Sequence, residues 1–271
     1  LARFRTGPGA EREGLSAKSM TPSTVTFLMP VLNGMPHLPE TLRSLEQMRD
    51  RDWQLYAWDN GSTDGTVECL REWLPHRVPG KLFTGRPLSL SESLQALLEA
   101  VETPLAARID ADDRCHPERL GQQRAYLEEH PEVALLGSQI RLIGEDGGGL
   151  EQGHSLAASR AEILYHLLHR CAVCHPTWCF RTKEVREIGG YRPLKRFEDN
   201  DVLIRLTMAK KGIANLETPL LDYRVRAQGF TQLNYQASGA LDLPWPLLEA
   251  HAEGFLGLAA DRVQDQQRRR G

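Results

Sequence analysis

Between Val25 and His130 the chain switches four times between a short strand-like run and a stretch of helical spacing, and few architectures accept that alternation. The strand-like runs are Val25–Met29, Trp53–Trp58, Lys81–Thr84 and Leu105–Ile109. The helical stretches are Pro39–Met48, with Leu38, Leu42, Leu45 and Met48 on one face, then Thr66–Leu74, Ser89–Val101 and Glu118–His130. Ser89 and Glu92 stand at capping-box spacing, and Asp64 is placed to cap the second helix. The pattern predicts an α/β fold with a doubly wound, mostly parallel sheet. Such sheets bind ligands beyond the carboxyl ends of their strands. Asn33, Asp59 and Asp110 each follow a strand end, so they are expected to face one cleft.

The second half reads as mixed. Val133–Ile143 and a returning segment flank the turn Glu145-Asp146-Gly147-Gly148-Gly149, which predicts a hairpin. Helices are expected at Ala161–Leu168 and Asp201–Lys211, and strands at Thr177–Arg181 and Leu220–Val225.

The 271 residues carry a net charge of -3, so no global positive field is present to hold nucleic acid. No run approaches the roughly 20 apolar residues that span a bilayer. Residues 1–22 are polar, lack a signal-peptide core and read as a disordered leader. The five cysteines are unevenly spaced, which points to a reducing, cytoplasmic compartment. Cys171-Ala172-Val173-Cys174-His175 matches a haem-attachment pattern, but buried thiols on a core segment account for it better. The tail after Leu247 has a helical pattern and ends in Arg268-Arg269-Arg270. Glu249, His251, Glu253 and Asp261 dilute its charge, so packing on the core or in a homodimer is favoured over peripheral contact with a membrane.

Three acidic groups carry the candidate chemistry. In Asp110-Ala111-Asp112, an inward Ala111 leaves both aspartates on the opposite side, facing the cleft. Two such carboxylates suit a hard divalent cation that also binds substrate phosphates, while the alternative is an acidic helix-capping turn before Pro117. Asp59 is suited to a nucleobase imide or a ribose hydroxyl, or else builds an Asx-turn with Asn60. Glu198-Asp199-Asn200-Asp201 supplies a general base for an acceptor proton, or complements the dipole of the helix that follows.

Four segments in order resemble the family 2 glycosyltransferases of the GT-A fold: Pro30-Val31-Leu32-Asn33-Gly34; Asp59 to Thr66; Asp110-Ala111-Asp112-Asp113 with Pro117-Glu118-Arg119-Leu120; and Glu198-Asp199 with Asp201. The resemblance spans about residues 25–226. It implies a domain over 23–230, with a nucleotide-sugar half to 115 and an acceptor half from 116, then a helical appendage over 231–271. It also implies an inverting transfer from a nucleotide-diphosphate sugar to a glycan or glycolipid hydroxyl, dependent on Mg²⁺ or Mn²⁺. Pro30, Val31, Asn33, Asp59 and Asn60 would form the nucleotide floor, with Arg86 near it. Asp110 would contact ribose or a metal-held water, Asp112 would ligate the metal, and Asp199 would be the base. Glu198, His175 and Trp178 would line the acceptor side, Trp178 stacking on a sugar or filling the core. The chain departs from the family at Leu32, where an aromatic is usual, and at Asn60, where a second aspartate is usual. At Arg226 a histidine is usual; an arginine holds a diphosphate rather than a metal. Two rivals stand beside this reading. A sugar-phosphate nucleotidylyltransferase would want a basic phosphate loop, which Asn33-Gly34-Met35-Pro36 lacks. A catalytically silent sugar-nucleotide-binding or scaffold protein would not need the intact acids.

Overall fold

Four parallel strands carry the first half: β1 (Val25–Val31), β2 (Trp53–Asp59), β3 (Gly80–Thr84) and β4 (Leu105–Arg108), side by side in the order β3-β2-β1-β4. The computed structural model describes residues 23–150, 156–157, 160–167 and 172–226. The leader at 1–22, Cys171 and the tail from 231 lie outside the described residues. The crossovers are α1 (Leu38–Glu46), α2 (Thr66–Trp73) and α3 (Leu90–Ala100). Every residue of β1 is buried, as befits a central strand covered on both faces. Its period of two divides it between two cores. Phe27 and Met29 pack with Leu42 and Leu45 of α1 and Leu70 of α2, whereas Leu28 joins Leu94, Leu97 and Leu98 of α3 on the other face. Both limbs of the Ser89–Glu92 capping box at the start of α3 are formed.

Beyond β4 follow β5 (Arg114–Cys115), α4 (Arg119–Glu129), β6 (Val133–Ile143), α5 (Arg160–His166) and a single 3-10 turn at His175–Thr177. The last elements are β7 (Cys179–Arg181), α6 (Thr182–Glu187), α7 (Glu198–Met208) and β8 (Gly212–Arg224). The sheet continues from β4 through β7, β6 and β8 to β5, eight strands in all. β7 is antiparallel to both β4 and β6, β8 is parallel to β6, and β5 is antiparallel to β8. The result is α/β, parallel in the first half and mixed in the second.

One expectation is met in part and one needs correction. After β6 the Gly-rich segment turns back on the strand, with Gly144 N–H on the Gly148 carbonyl at 2.8 Å, Leu150 N–H on the Leu142 carbonyl at 2.9 Å and an antiparallel bridge between Ile143 and Gly149. Residues 151–155 lie outside the described ones, and β6 also pairs with β7 and β8. β8 also begins at Gly212, well before the strand-like run at Leu220. Its register against β6 shifts near Ser138 and Gln139, opposite Leu216–Leu221, so a bulge accommodates Pro219 within a long strand.

Candidate active site

The loops after β1 and β2 are stitched to each other. Asn33, at a positive φ of 50°, donates its N–H to Ser62 Oγ at 2.8 Å and accepts from Thr63 N–H at 3.0 Å. Gly34 N–H reaches Thr66 Oγ1 at 2.8 Å, and Met35 N–H reaches Asp64 Oδ2 at 2.9 Å. Pro30 and Val31 are buried in β1, and the Val31 carbonyl accepts from Asn60 N–H at 2.9 Å. The buried Asp59 carboxylate accepts from Gly61 N–H at 2.9 Å and Ser62 N–H at 3.2 Å, which is the Asx-turn geometry. The Asn60 amide donates to Ser93 Oγ at 3.0 Å and accepts from Leu88 N–H at 3.0 Å, tying this loop to the start of α3. Arg86 is exposed on the loop between β3 and α3, and its charge helps hold the Glu92 carboxyl below its ordinary range, after the hydrogen bonds from Ser89.

The loop after β4 puts Ala111 in the core and leaves the Asp110 and Asp112 side chains 33% and 23% exposed. Thr41 of α1 fixes this loop by donating to the Ala111 carbonyl at 2.9 Å. Asp110 pairs with the buried Arg108 at 2.6 Å, and Asp112 pairs with Arg226 at 3.3 Å. Burial, then the like charge of Asp110, raises the Asp112 carboxyl above its ordinary range, and Arg226 pulls it part of the way back. Asp113 is fully buried behind them; burial and both neighbouring aspartates hold its carboxyl well above the ordinary range.

Arg224, at the end of β8, ties the loop to its surroundings. Its backbone N–H donates to Asp113 at 2.9 Å, its Nε to the Asp112 carbonyl at 2.8 Å, and its Nη1 to the carbonyls of Gly144 and Glu145 at 3.0 and 2.9 Å. Its remaining nitrogen pairs with Glu40, which also pairs with Arg114 at 2.6 Å. His37, at the start of α1, feels Arg224, Arg226 and Asp112; burial first and then the two arginines lower its pKa.

The acceptor-side candidates gather at the first turn of α7. His175 is buried; its Nε2 is 3.0 Å from Tyr191 Oη, and its Nδ1 is 3.6 Å from Glu198 Oε1. Burial and the Arg108 charge bring its pKa down to about 3, so the imidazole is neutral. Glu198 is raised by burial and by Asp110; Asp199 is raised by burial and by Glu198. Behind them Asp201 is fully buried and clamped by Arg192 and Arg205, and Arg205 also donates to the carbonyls of Ile188 and Gly190 at 2.5 and 2.6 Å. This clamp holds the loop that carries Tyr191. Trp178 corrects one expectation. It is 0% exposed and its indole N–H is spent on the Val173 carbonyl at 3.1 Å, so its ring is core and no sugar stacks on it.

Asp110 is the common member of the two groups. Its charge acts on Asp112 and Asp113 on one side and on Glu198 and His175 on the other. Asn33, Asp59 and Asn60 belong to the adjoining stitched loops, and Arg86 to the one beyond. Sequence reasoning passed over Arg108, Glu40, Tyr191 and Arg224. The one local signal was Arg108 itself, a charged residue on a strand otherwise apolar, two positions before Asp110. Among the described residues no group of three or more His, Cys, Asp or Glu side chains forms a complete metal cage. The donors on offer are Asp110 and Asp112, partly exposed and mutually repelling. That set fits a hard divalent cation whose other oxygens come from phosphate and water.

The comparisons with known proteins bear on family and fold. The sequence model of Glycosyl transferase family 2 matches residues 26–188. The chain is 28% identical over 238 residues to the putative glycosyltransferase EpsE of Bacillus subtilis, covering 81% of this chain and 84% of that one. It is 33% identical over 189 residues to the amylovoran biosynthesis glycosyltransferase AmsE of Erwinia amylovora, covering 69% and 70%. Among solved structures, S. aureus TarS 1–349 in complex with UDP-GlcNAc superposes with a TM-score of 0.63 at 20% identity, over 78% of this chain and 60% of that one. The mannosyltransferase PcManGT from Pyrobaculum calidifontis, in complex with GDP-Man and Mn²⁺, superposes with a TM-score of 0.58 at 18% identity, over 89% of this chain and 73% of that one. These structures share the GT-A fold. The chain belongs to glycosyl transferase family 2 and is a glycosyltransferase.

Proposed function

We propose that the protein moves a sugar from a nucleoside-diphosphate donor to a hydroxyl of a glycan or glycolipid, with inversion at the anomeric carbon and with Mg²⁺ or Mn²⁺ as cofactor. One chain of contacts supports this reading: Asp110 pairs with Arg108 at 2.6 Å, the Arg108 N–H meets the Trp178 carbonyl at 2.9 Å, and His175, packed on Trp178, is 3.6 Å from Glu198, which makes the two groups of acids neighbours. The relatives support its parts. AmsE is named for amylovoran biosynthesis, TarS was solved with UDP-GlcNAc, and PcManGT with GDP-Man and Mn²⁺.

In this reading Pro30, Val31, Asn33, Asp59 and Asn60 shape the nucleotide floor. Asp59 and Asn60 do so mainly by fixing the loop backbone, and Arg86 flanks it. Asp110 and Asp112 hold the cation, which when bound neutralises charge on the departing diphosphate. Arg226, beside Asp112, takes a share of that diphosphate charge. Asp199 removes the proton of the attacking hydroxyl. Its raised pKa makes it a stronger base than an ordinary aspartate, and it is charged once the pH exceeds that pKa. Glu198 and the neutral His175 support the turn that presents it.

The test is release of UDP, GDP or dTDP from the corresponding sugar donors in Mn²⁺, with and without EDTA. Release from one donor that EDTA abolishes and added Mn²⁺ restores is the expected result. Equal release in EDTA would rule out the cation's role, and none from any donor would rule out the transfer itself.

A further inference from the structure

Arg108 is the last residue of β4 and is 2% exposed, which is costly for a guanidinium without dedicated partners. Its backbone is pinned on both sides. Its N–H donates to the Trp178 carbonyl at 2.9 Å, and its own carbonyl accepts from the fully buried Arg119 at 2.8 Å. Its side chain has one close ionic partner, with Nη1 2.6 Å from Asp110 Oδ1, and neither Nε nor Nη1 has an aligned hydrogen-bond acceptor among the described residues. The same charge is felt by Glu198, His175 and Tyr191. A buried cation therefore stands beside Asp110, on a strand end hydrogen-bonded to the Trp178 carbonyl and to Arg119.

We propose that Arg108 is a positioning residue for the transfer: its buried guanidinium orients the Asp110 carboxylate at the end of β4. This rests on the functional reading above. Arg108 acts through Asp110, without touching substrate itself. Lysine carries one compact ammonium and does not reproduce the fixed planar fork of a guanidinium.

The experiment compares wild type, R108K, R108M, D110N and the double variant R108M/D110N. Folding is checked by thermal unfolding, affinity for UDP, GDP and dTDP with Mn²⁺ by calorimetry, and kcat by donor hydrolysis. R108K is expected to keep nucleotide affinity within about threefold and to lose about tenfold in kcat, the mark of a group that matters more during turnover than in binding. R108M is expected to lose both. In the D110N background R108M should cost no further affinity, because the partner it holds has lost its charge. R108K and R108M that match wild type in affinity and kcat would overturn the proposal and leave the functional reading standing, as would additive affinity losses in the double variant. A failure of R108M to fold leaves the affinity-against-kcat split in R108K to decide. Wild type that neither binds nor turns over any nucleotide would overturn both readings together.

Discussion

Glu198 and Asp199 are adjacent in sequence but differently employed. Glu198 lies against His175, beneath the loop that Tyr191 holds, and Asp199 is the proposed base. Burial and then the Glu198 charge raise the Asp199 pKa. A base works only when deprotonated, so activity should fall as the pH drops through that raised value. Removing the neighbouring charge lowers it. Glu198→Gln should therefore move the acid limb of the kcat profile to lower pH, and an unmoved limb would mean that Asp199 is not the titrating base. On the donor side, Arg226 sits at 3.3 Å from Asp112. Arg226→Ala should weaken calorimetric binding of a nucleoside diphosphate by about tenfold, or roughly 1.4 kcal/mol, while leaving Mn²⁺ affinity less affected. Unchanged nucleotide affinity would remove Arg226 from the donor site.

At the scale of elements, the capping box of α3 has both limbs made, with Glu92 N–H on Ser89 Oγ at 3.3 Å and Ser89 N–H on Glu92 Oε2 at 2.9 Å. Ser89→Ala should cost about 1 kcal/mol in urea unfolding. Because Asn60 binds Leu88 N–H beside that cap, the same change loosens a wall of the proposed nucleotide floor. The box was legible in the sequence because capping is local: Ser and Glu three residues apart encode it. The strands and crossovers of the first half were legible for the same reason, as were the acids at their ends. β8 and α6 were not. The stretch from Gly212 to Pro219 holds glycine, asparagine and proline, and it becomes strand only because β6 lies beside it. α6 has six residues, too few to establish a helical period. The turn after β6 was legible, but its other strand partners come from distant segments that no local pattern names. Trp178 illustrates the same limit at one position: sequence left it between sugar platform and core, and its full burial in the cluster with Leu135, Phe180 and Leu203 decided for the core.

At the scale of the whole molecule, the parallel half delivers the loops after β1, β2 and β4 to one edge of the sheet, and the mixed half brings α7 and the end of β8 to the same edge. Arg224 ties the halves together there through its Nε on the Asp112 carbonyl, and Arg108 does so through its backbone N–H on the Trp178 carbonyl. No helix among the described residues is long and apolar enough to cross a membrane. In the proposed function a cation-assisted donor site and a separate base share this edge. Asp199→Asn separates them, because it removes the proton acceptor and leaves Asp110, Asp112 and Arg226 in place. Calorimetry of a nucleoside diphosphate with Mn²⁺, read beside kcat for the same variant, is the most direct test. Affinity is expected within about threefold of wild type, with kcat lowered by about 10² to 10⁴. An Asp199→Asn variant that retains full turnover, or that loses nucleotide binding as severely as turnover, would contradict it.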